Sequence, residues 1–168
     1  MKHFISRRNF LKAAGVTAAA SAMAAAVPQA SAGFLTGKDA AVTILYTNDV
    51  HTYIDNKSPK LTYAAIAAMK QGYVDEGKPV LLVDAGDHIQ GTAYGSMDDG
   101  ATIIELMNEA GYDIATLGNH EFDYGMARAK AIIKEADFPY VSCNWVDLRT
   151  GLRVLPAVKL FPAGGKWI

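Results

Sequence analysis

Three short polar segments constrain the fold of this chain most strongly, because each directly follows an apolar run that is typical of a β-strand. The segments are residues 48–51 (NDVH), 86–91 (GDHIQG) and 118–123 (GNHEFD), and they follow the runs 42–45, 80–83 and 114–117. In an α/β sheet, the loops at the carboxyl ends of the strands converge on one crevice. We therefore expect the three segments to lie side by side at one edge of a sheet.

Strand-like and helix-like stretches alternate along the chain, which predicts an α/β fold with a mostly parallel sheet in the order βαβαβαβ. The run 80–83 is apolar throughout, as expected for a strand that is covered on both faces. The predicted strands cover residues 41–46, 80–84, 113–117 and 140–143, and the predicted helices cover residues 60–76, 101–110 and 124–136.

Local signals indicate where the first two helices begin and end. Ser58 and Pro59 predict the N-cap and the first turn of the first helix. Asp98 or Asp99 is expected to cap the second helix, and Gly111 is expected to end it. Five residues at helical spacing are expected to form the apolar face of the first helix: Leu61, Ala64, Ala65, Ala68 and Met69.

The last part of the sequence predicts additional strands. Residues 152–155 and 157–161 are expected to pair as a hairpin around Pro156. Residues 163–168 are expected to form a turn and the start of another strand. Nothing in the sequence follows to cover that strand, so we expect a sheet that is incomplete at the C-terminus.

The first 32 residues have the three-part layout of an export signal. A basic start is followed by an alanine-rich stretch and by the small-x-small pattern of a cleavage site at residues 30–32. Residues 6–12 (SRRNFLK) resemble the twin-arginine motif, which implies export by the Tat machinery to the periplasm or out of the cell. The alternative is an uncleaved membrane anchor, but a short stretch built mainly of alanine would span a bilayer poorly.

The expected organisation is a signal peptide at residues 1–32, a linker at 33–40 and the N-terminal part of a catalytic domain at 41–168, with no stable membrane anchor after cleavage. The signal holds four of the 16 basic residues and none of the 17 acidic ones, so the exported part is acidic overall. No block of lysine and arginine remains, which argues against binding to a nucleic acid polymer.

Cys143 is the only cysteine, so a disulfide within the chain is impossible. It lies in the strand-like segment 140–144, where it is expected to be a small buried residue of the core. A nucleophilic role is less expected, because the segment offers no base.

The polar segments carry the donor types of a site for divalent metal ions. In an extended segment, residues two apart point the same way, so Asp49 and His51 could reach one ion. Asp87 could bridge two ions about 3.5–4 Å apart. Asn119 offers a neutral oxygen to a second ion.

Each of these residues also has a plainer structural interpretation. Asp49 could cap backbone groups of its loop, Asp87 could form an Asx-turn and Asn119 could adopt a left-handed conformation. A single histidine is more often a satisfied polar residue than a ligand. The metal site is favoured because three such segments occur in order, each after a predicted strand.

The third segment also contains a pair that suits proton transfer. Asp123 could accept a hydrogen bond from one ring nitrogen of His120 and direct the other nitrogen toward a substrate. Such a histidine would serve as a general acid or stabilise charge in the transition state. We expect His88 at the rim of the site or behind its ligands, and Glu121 and Phe122 in support of the loop.

These motifs, with Thr47 and Asn48 before the first, resemble the calcineurin-like metallophosphoesterase superfamily and within it the 5′-nucleotidase branch. That branch includes UDP-sugar hydrolases and 2′,3′-cyclic-nucleotide phosphodiesterases. The pattern is Asp49-x-His51, Gly86-Asp87-x-x-Gln90-Gly91 and Gly118-Asn119-His120-Glu121-x-Asp123. The resemblance covers nearly all of the chain after the signal.

The resemblance implies a metallophosphoesterase-type βαβαβ fold and two divalent ions, which could be Zn, Mn, Fe or Co. It implies that Asp49 and His51 bind the first ion, that Asp87 bridges and that Asn119 binds the second ion. His120 and Asp123 would be the catalytic pair in the hydrolysis of a phosphate ester, with a nucleotide as the expected substrate.

The sequence departs from the family pattern by omission. The family's catalytic domain continues with two more metal-binding histidines, whereas no histidine follows His120 here. The family's separate domain that stacks the nucleotide base is also absent. The expectation is therefore the N-terminal part of an exported dimetal phosphoesterase, with little or no activity on its own. The alternatives are a non-catalytic exported metal-binding protein and a hydrolase of the same superfamily that acts on a cyclic nucleotide or a UDP-sugar or that is thiosulfohydrolase-like.

Overall fold

The computed structural model describes residues 41–54 and 62–168. The predicted signal peptide, the predicted linker and the capping residues Ser58 and Pro59 lie outside these ranges. None of the helices in the described ranges is long and apolar enough to cross a membrane.

A parallel sheet of three strands organises the described part of the chain, which confirms the predicted fold class. The order in the sheet follows the order in the sequence, as right-handed helical crossovers allow. The register pairs Thr47 with Asp84 and Asp84 with Ala115, so the three strands end at the same level. The strands are β1 (Thr43–Thr47), β2 (Val80–Asp84) and β3 (Ile114–Ala115).

Within the described ranges, four helices accompany the sheet, one of them a single short turn that the sequence pattern did not indicate. They are α1 (Tyr63–Asp75), α2 (Ala93–Ser96), α3 (Ala101–Ala110) and α4 (Met126–Glu135). Helix α3 buries Ile103, Ile104 and Met107 completely, and these side chains pack with Leu82 of β2 in one apolar core. Burial of each such side chain contributes about 1.5–3 kcal/mol.

Helix α1 differs from its prediction in its buried face. Thr62 is the N-cap, with its hydroxyl accepting a hydrogen bond from Ala65 N at 3.2 Å. The predicted start near Lys60 and the predicted face residue Leu61 lie outside the described residues. The predicted face is wrong in part, because Met69 is 47% exposed. The buried residues are Tyr63, Ala64, Ile66 and Ala67.

Helix α3 matches its predicted bounds, but the cap is of another kind. The N-cap is Gly100 in the left-handed conformation, and the Asp98 carboxylate accepts from Thr102 N at 2.9 Å from outside the helix. Gly111 ends the helix with a positive φ of 77°, as its position predicts.

The end of the chain contains less sheet than predicted. The expected fourth strand is reduced to one parallel bridge between Ala115 and Tyr140. Cys143 is exposed, so its predicted place in the core is wrong. The predicted hairpin around Pro156 is also wrong: Val146 bridges Arg153 instead. A small antiparallel pair forms from β4 (Pro162–Ala163) and β5 (Lys166–Trp167).

Candidate metal centre

The three polar segments lie together at the carboxyl edge of the sheet, and we call them the first loop (48–51), the second loop (86–91) and the third loop (118–123). Asp49 N donates to Gly86 O at 3.1 Å, and His51 N donates to Asp87 O at 3.0 Å. His120 N donates to the Asp87 carboxylate at 2.8 Å. The second loop is therefore joined to both of the other loops.

The loops pack too closely for side chains at certain positions. A Cβ on Gly86 would lie 2.4 Å from Gly118 N, and a Cβ on Gly118 would lie 2.2 Å from the Asp87 carboxylate. A Cβ on Gly91 would lie 2.2 Å from His51 O. Glycine at these places allows the backbones to approach one another.

Four residues other than glycine have a positive φ in and beside the first two loops: Asp49 (52°), His51 (48°), Thr52 (58°) and Asp87 (60°). A left-handed conformation costs of order 1–3 kcal/mol at such residues and is concentrated at functional sites. The positive φ values of Asp49 and His51 also show that the extended conformation expected for the first loop is wrong. Asp49 and His51 come together through two left-handed residues and not through the alternation of a strand.

His51, Asp87 and His120 bring one ligand atom each within 4.8 Å of one another, so this group could hold a metal ion. His51 Nδ1 donates to the Gln90 carbonyl at 3.0 Å, which leaves Nε2 as the free ligand atom. The rings of His51 and His120 meet edge to face with centroids 4.9 Å apart. Two imidazoles and one carboxylate are donors that Zn, Mn, Fe and Co all accept, so the residues present fit a divalent transition metal.

The other two predicted ligands lie at the margin of this group. The Asp49 carboxylate is half exposed, and one of its oxygens lies 3.6 Å from His51 Nε2. Asn119 is exposed at the start of the short 3₁₀ turn His120–Phe122. The Asp49 carboxylate therefore lies beside the His51 ring in space. Asn119 directly precedes His120 in the sequence.

His120 and Asp123 form a hydrogen-bonded pair at the surface. His120 Nδ1 donates to the Asp123 carboxylate at 2.6 Å, and about a third of each side chain is exposed. This bond fixes the tautomer and leaves Nε2 of His120 free. The hydrogen bond to Asp123 raises the pKa of His120, a little opposed by partial desolvation.

We expect Asp123→Asn to lower the pKa of His120 in the metal-free chain toward the ordinary value, because the amide can no longer stabilise the imidazolium. Proton NMR titration of the His120 ring in the presence of EDTA measures this directly. The buried His88 ring serves as an internal control, since its Nδ1 partner is the unchanged Asp84 carboxylate. An unchanged pKa of His120 in the variant would contradict the pairing.

A buried polar group lies behind the loops. His88 is completely buried, its Nδ1 donates to Asp84 at 2.7 Å, and its Nε2 lies 2.8 Å from the Tyr140 hydroxyl. Asp84 also accepts from the Thr47 hydroxyl at 2.6 Å. Burial lowers the pKa of His88, but the hydrogen bond to Asp84 and the nearby carboxylates outweigh it and raise the pKa overall. His88 therefore lies behind the ligands and not at the rim.

The role of Asp84 as hydrogen-bond partner of His88 was not predicted from the sequence. The sequence pattern that could have indicated it is an aspartate at the end of an apolar strand, four residues before a histidine. Glu121 was expected to support its own loop. It is completely buried, and its carboxylate accepts backbone hydrogen bonds from both the second and the third loop.

We expect Gly86→Ala to destabilise the chain by about 1–3 kcal/mol, the usual effect of overpacking, because its Cβ meets the backbone of the third loop. Gly72→Ala is the matched control. Gly72 lies in α1 with nothing within 4 Å of its Cβ position, and alanine there is expected to stabilise the helix by about 0.5–1 kcal/mol. Urea unfolding of the two variants measures both effects, and equal effects would contradict the close packing of the loops.

The family model for calcineurin-like phosphoesterases matches residues 42–166, and the model for the twin-arginine translocation signal matches residues 5–27. A snake venom 5′-nucleotidase of Gloydius brevicauda is 40% identical over 114 residues, which are 61% of this chain and 19% of that protein. The chain thus spans about a fifth of the length of the curated relatives it matches.

Two solved structures show the same fold in longer proteins. The 5′-nucleotidase precursor of Thermus thermophilus aligns with a TM-score of 0.65 and 29% identity, over 75% of this chain and 27% of that one. The NAD nucleotidase of Haemophilus influenzae aligns with a TM-score of 0.65 and 26% identity, over 75% of this chain and 25% of that one.

Proposed function

The chain belongs to the calcineurin-like phosphoesterase family, and we propose that it carries the first part of a two-metal centre that hydrolyses phosphate esters of nucleotides. The convergence of His51, Asp87 and His120 at the carboxyl edge of the sheet carries this proposal. The 5′-nucleotidases and the NAD nucleotidase among its relatives support a nucleotide as the substrate.

In this proposal, Asp49 and His51 hold one divalent ion, Asp87 bridges two ions and Asn119 holds the second. Bound ions would supply positive charge that stabilises the phosphoryl oxygens during displacement. Asp49 stands beside His51, and Asp87 is fixed by His120 N from the third loop. His51 and Asp87, both in the left-handed conformation, offer ligand atoms that lie within 4.8 Å of each other.

His120 is proposed to deliver a proton to the leaving oxygen of the ester, with Asp123 as its orienting partner. The Nδ1–H bond to Asp123 keeps Nε2 available on the exposed side of the ring. The raised pKa of His120 keeps its ring protonated to a higher pH than usual. An imidazolium is the form of this side chain that can donate to an alkoxide.

The twin-arginine signal sends the chain out of the cytoplasm, to the periplasm or beyond. We propose that residues 1–32 are the signal, that residues 33–40 link it to the domain and that the Tat machinery is the export partner. Because that route transports folded proteins, the domain could acquire its metal before export.

The test is hydrolysis of AMP and of bis-p-nitrophenyl phosphate by the exported chain with added Mn²⁺, Zn²⁺ or Co²⁺, and with EDTA as the control. We expect little or no turnover, and a metal requirement for any turnover that occurs, because no histidine after His120 completes the ligand set within this sequence. Tight metal uptake with no turnover of either ester would favour a non-catalytic metal-binding protein. Turnover that persists in EDTA would contradict the proposal.

A further inference from the structure

Glu121 is the most completely engaged side chain behind the metal centre. It is fully buried, and its carboxylate accepts hydrogen bonds from the backbone of two loops. One oxygen accepts from Asp87 N at 2.8 Å and from Gly118 N at 2.6 Å. The other oxygen accepts from His88 N at 2.8 Å and from Ile89 N at a longer 3.4 Å.

The three amides of the second loop form a concave backbone site of the kind that binds anions. Successive N–H groups point to one side when a left-handed residue stands among them, and Asp87 has a φ of 60°. Glu121 occupies this concavity with a carboxylate of its own chain. It therefore stabilises the unfavourable conformation that turns the Asp87 side chain toward His51 and His120.

The same carboxylate sets the distance between the second and third loops. Asp87 N and Gly118 N share one of its oxygens, and a Cβ on Gly118 would collide with the Asp87 carboxylate. The Asp87 carboxylate in turn accepts from His120 N. Backbone and side chain thus close a ring of hydrogen bonds that includes Asp87, His120 and Glu121.

We propose that Glu121 is a positioning residue, which holds Asp87 in its left-handed conformation and so places the carboxylate that shares an ion with His51. It touches neither substrate nor metal. That this arrangement serves metal binding rests on the proposed function. The hydrogen bond from the Asp87 backbone to Glu121 can be tested without any metal.

Glu121→Gln is the informative variant, because a carboxamide has one acceptor oxygen and brings an N–H₂ donor against backbone donors. We expect its affinity for Mn²⁺ or Zn²⁺ to fall by about 10–100-fold, as for other partners that orient metal ligands. Isothermal titration measures the affinity. Glu105→Gln makes the same chemical change at an exposed position of α3 and is expected to leave the affinity unchanged.

Amide hydrogen exchange in EDTA supplies the metal-free readout. In the wild-type chain, Asp87 N and His88 N are expected to exchange slowly although they lie in a loop. In Glu121→Gln these two amides are expected to exchange fast, while Leu82 N in β2, which donates to Asp113, stays protected. Fast exchange of Asp87 N and His88 N in the wild-type chain would overturn the inference, even if no variant folds.

The two readouts separate this inference from the proposed function. A wild-type chain that binds no ion but protects Asp87 N through Glu121 would contradict the proposed function and retain the backbone role of Glu121. A variant with lower affinity and unchanged amide protection would overturn the positioning role and leave the metal centre intact.

Discussion

Replacing His120 by alanine is expected to slow the hydrolysis of AMP by about 10²–10⁴-fold, the usual contribution of a positioned general acid. The leaving group of AMP is an alkoxide, which needs a proton as the ester bond breaks. His120 is suited to supply it, because the bond from its Nδ1 to Asp123 leaves Nε2 free and raises the pKa of the ring. Single-turnover assays with the chain in excess would measure the ratio even if turnover is slow.

The nature of the leaving group provides the control. Bis-p-nitrophenyl phosphate releases a stable phenolate, so the same His120→Ala variant is expected to lose much less activity on it. An equal loss on both esters would contradict the role of acid and would instead indicate that His120 is needed to hold the metal, as its distance to His51 and Asp87 also allows.

Asp87→Asn is expected to weaken the binding of Mn²⁺ or Zn²⁺ by at least roughly 100-fold, since even partners that only orient a ligand account for 10–100-fold. Asp87 carries the only carboxylate in the compact group with His51 and His120. An amide keeps the shape and one oxygen but removes the negative charge. Isothermal titration of the two proteins measures the difference.

Asp99→Asn is the matched control for this change. Asp99 is exposed and shares the left-handed conformation, with a φ of 52°, but it follows α2 and lies outside the three loops. The control is expected to bind metal like the wild type. Similar affinities of Asp87→Asn and the wild type would show that the carboxylate is not a ligand.

The place of the site could be predicted from the sequence because two independent patterns coincide there. Apolar runs mark the strands, and Asp, Asn and His follow each run within a few residues. The parallel register then brings Thr47, Asp84 and Ala115 to one level, so that the loops after them meet. Only the topology was needed for this inference, and the topology follows from the alternation of elements.

The conformation within the loops could not be predicted in the same way. Asp49 and His51 carry only a weak local signal for a positive φ, and tertiary hydrogen bonds to Gly86 and Asp87 hold their backbone in this conformation. One of the two buried ring bonds of His88 joins it to Tyr140, which is 52 residues away in the sequence. Side chains so far apart carry no common local pattern.

Tertiary packing also determines two features that the spacing of apolar residues did not predict. Helix α1 is rich in alanine, so several of its faces look equally apolar, and Tyr63 and Ile66 determine which one is buried. The segment around Cys143 has the composition of a strand, but a single bridge at Tyr140 joins it to the sheet. Without further pairing, no alternation of buried and exposed residues is imposed, and Cys143 lies at the surface.

The most direct test of a common metal centre is NMR of the exported chain during addition of paramagnetic Mn²⁺. We predict that the amides of His51, Asp87 and His120 broaden first and together. Gly77 and Lys78, which lie before β2 at the amino ends of the strands, should broaden last. Broadening confined to one loop, or spread evenly over the acidic surface, would contradict the account that the three loops form one site.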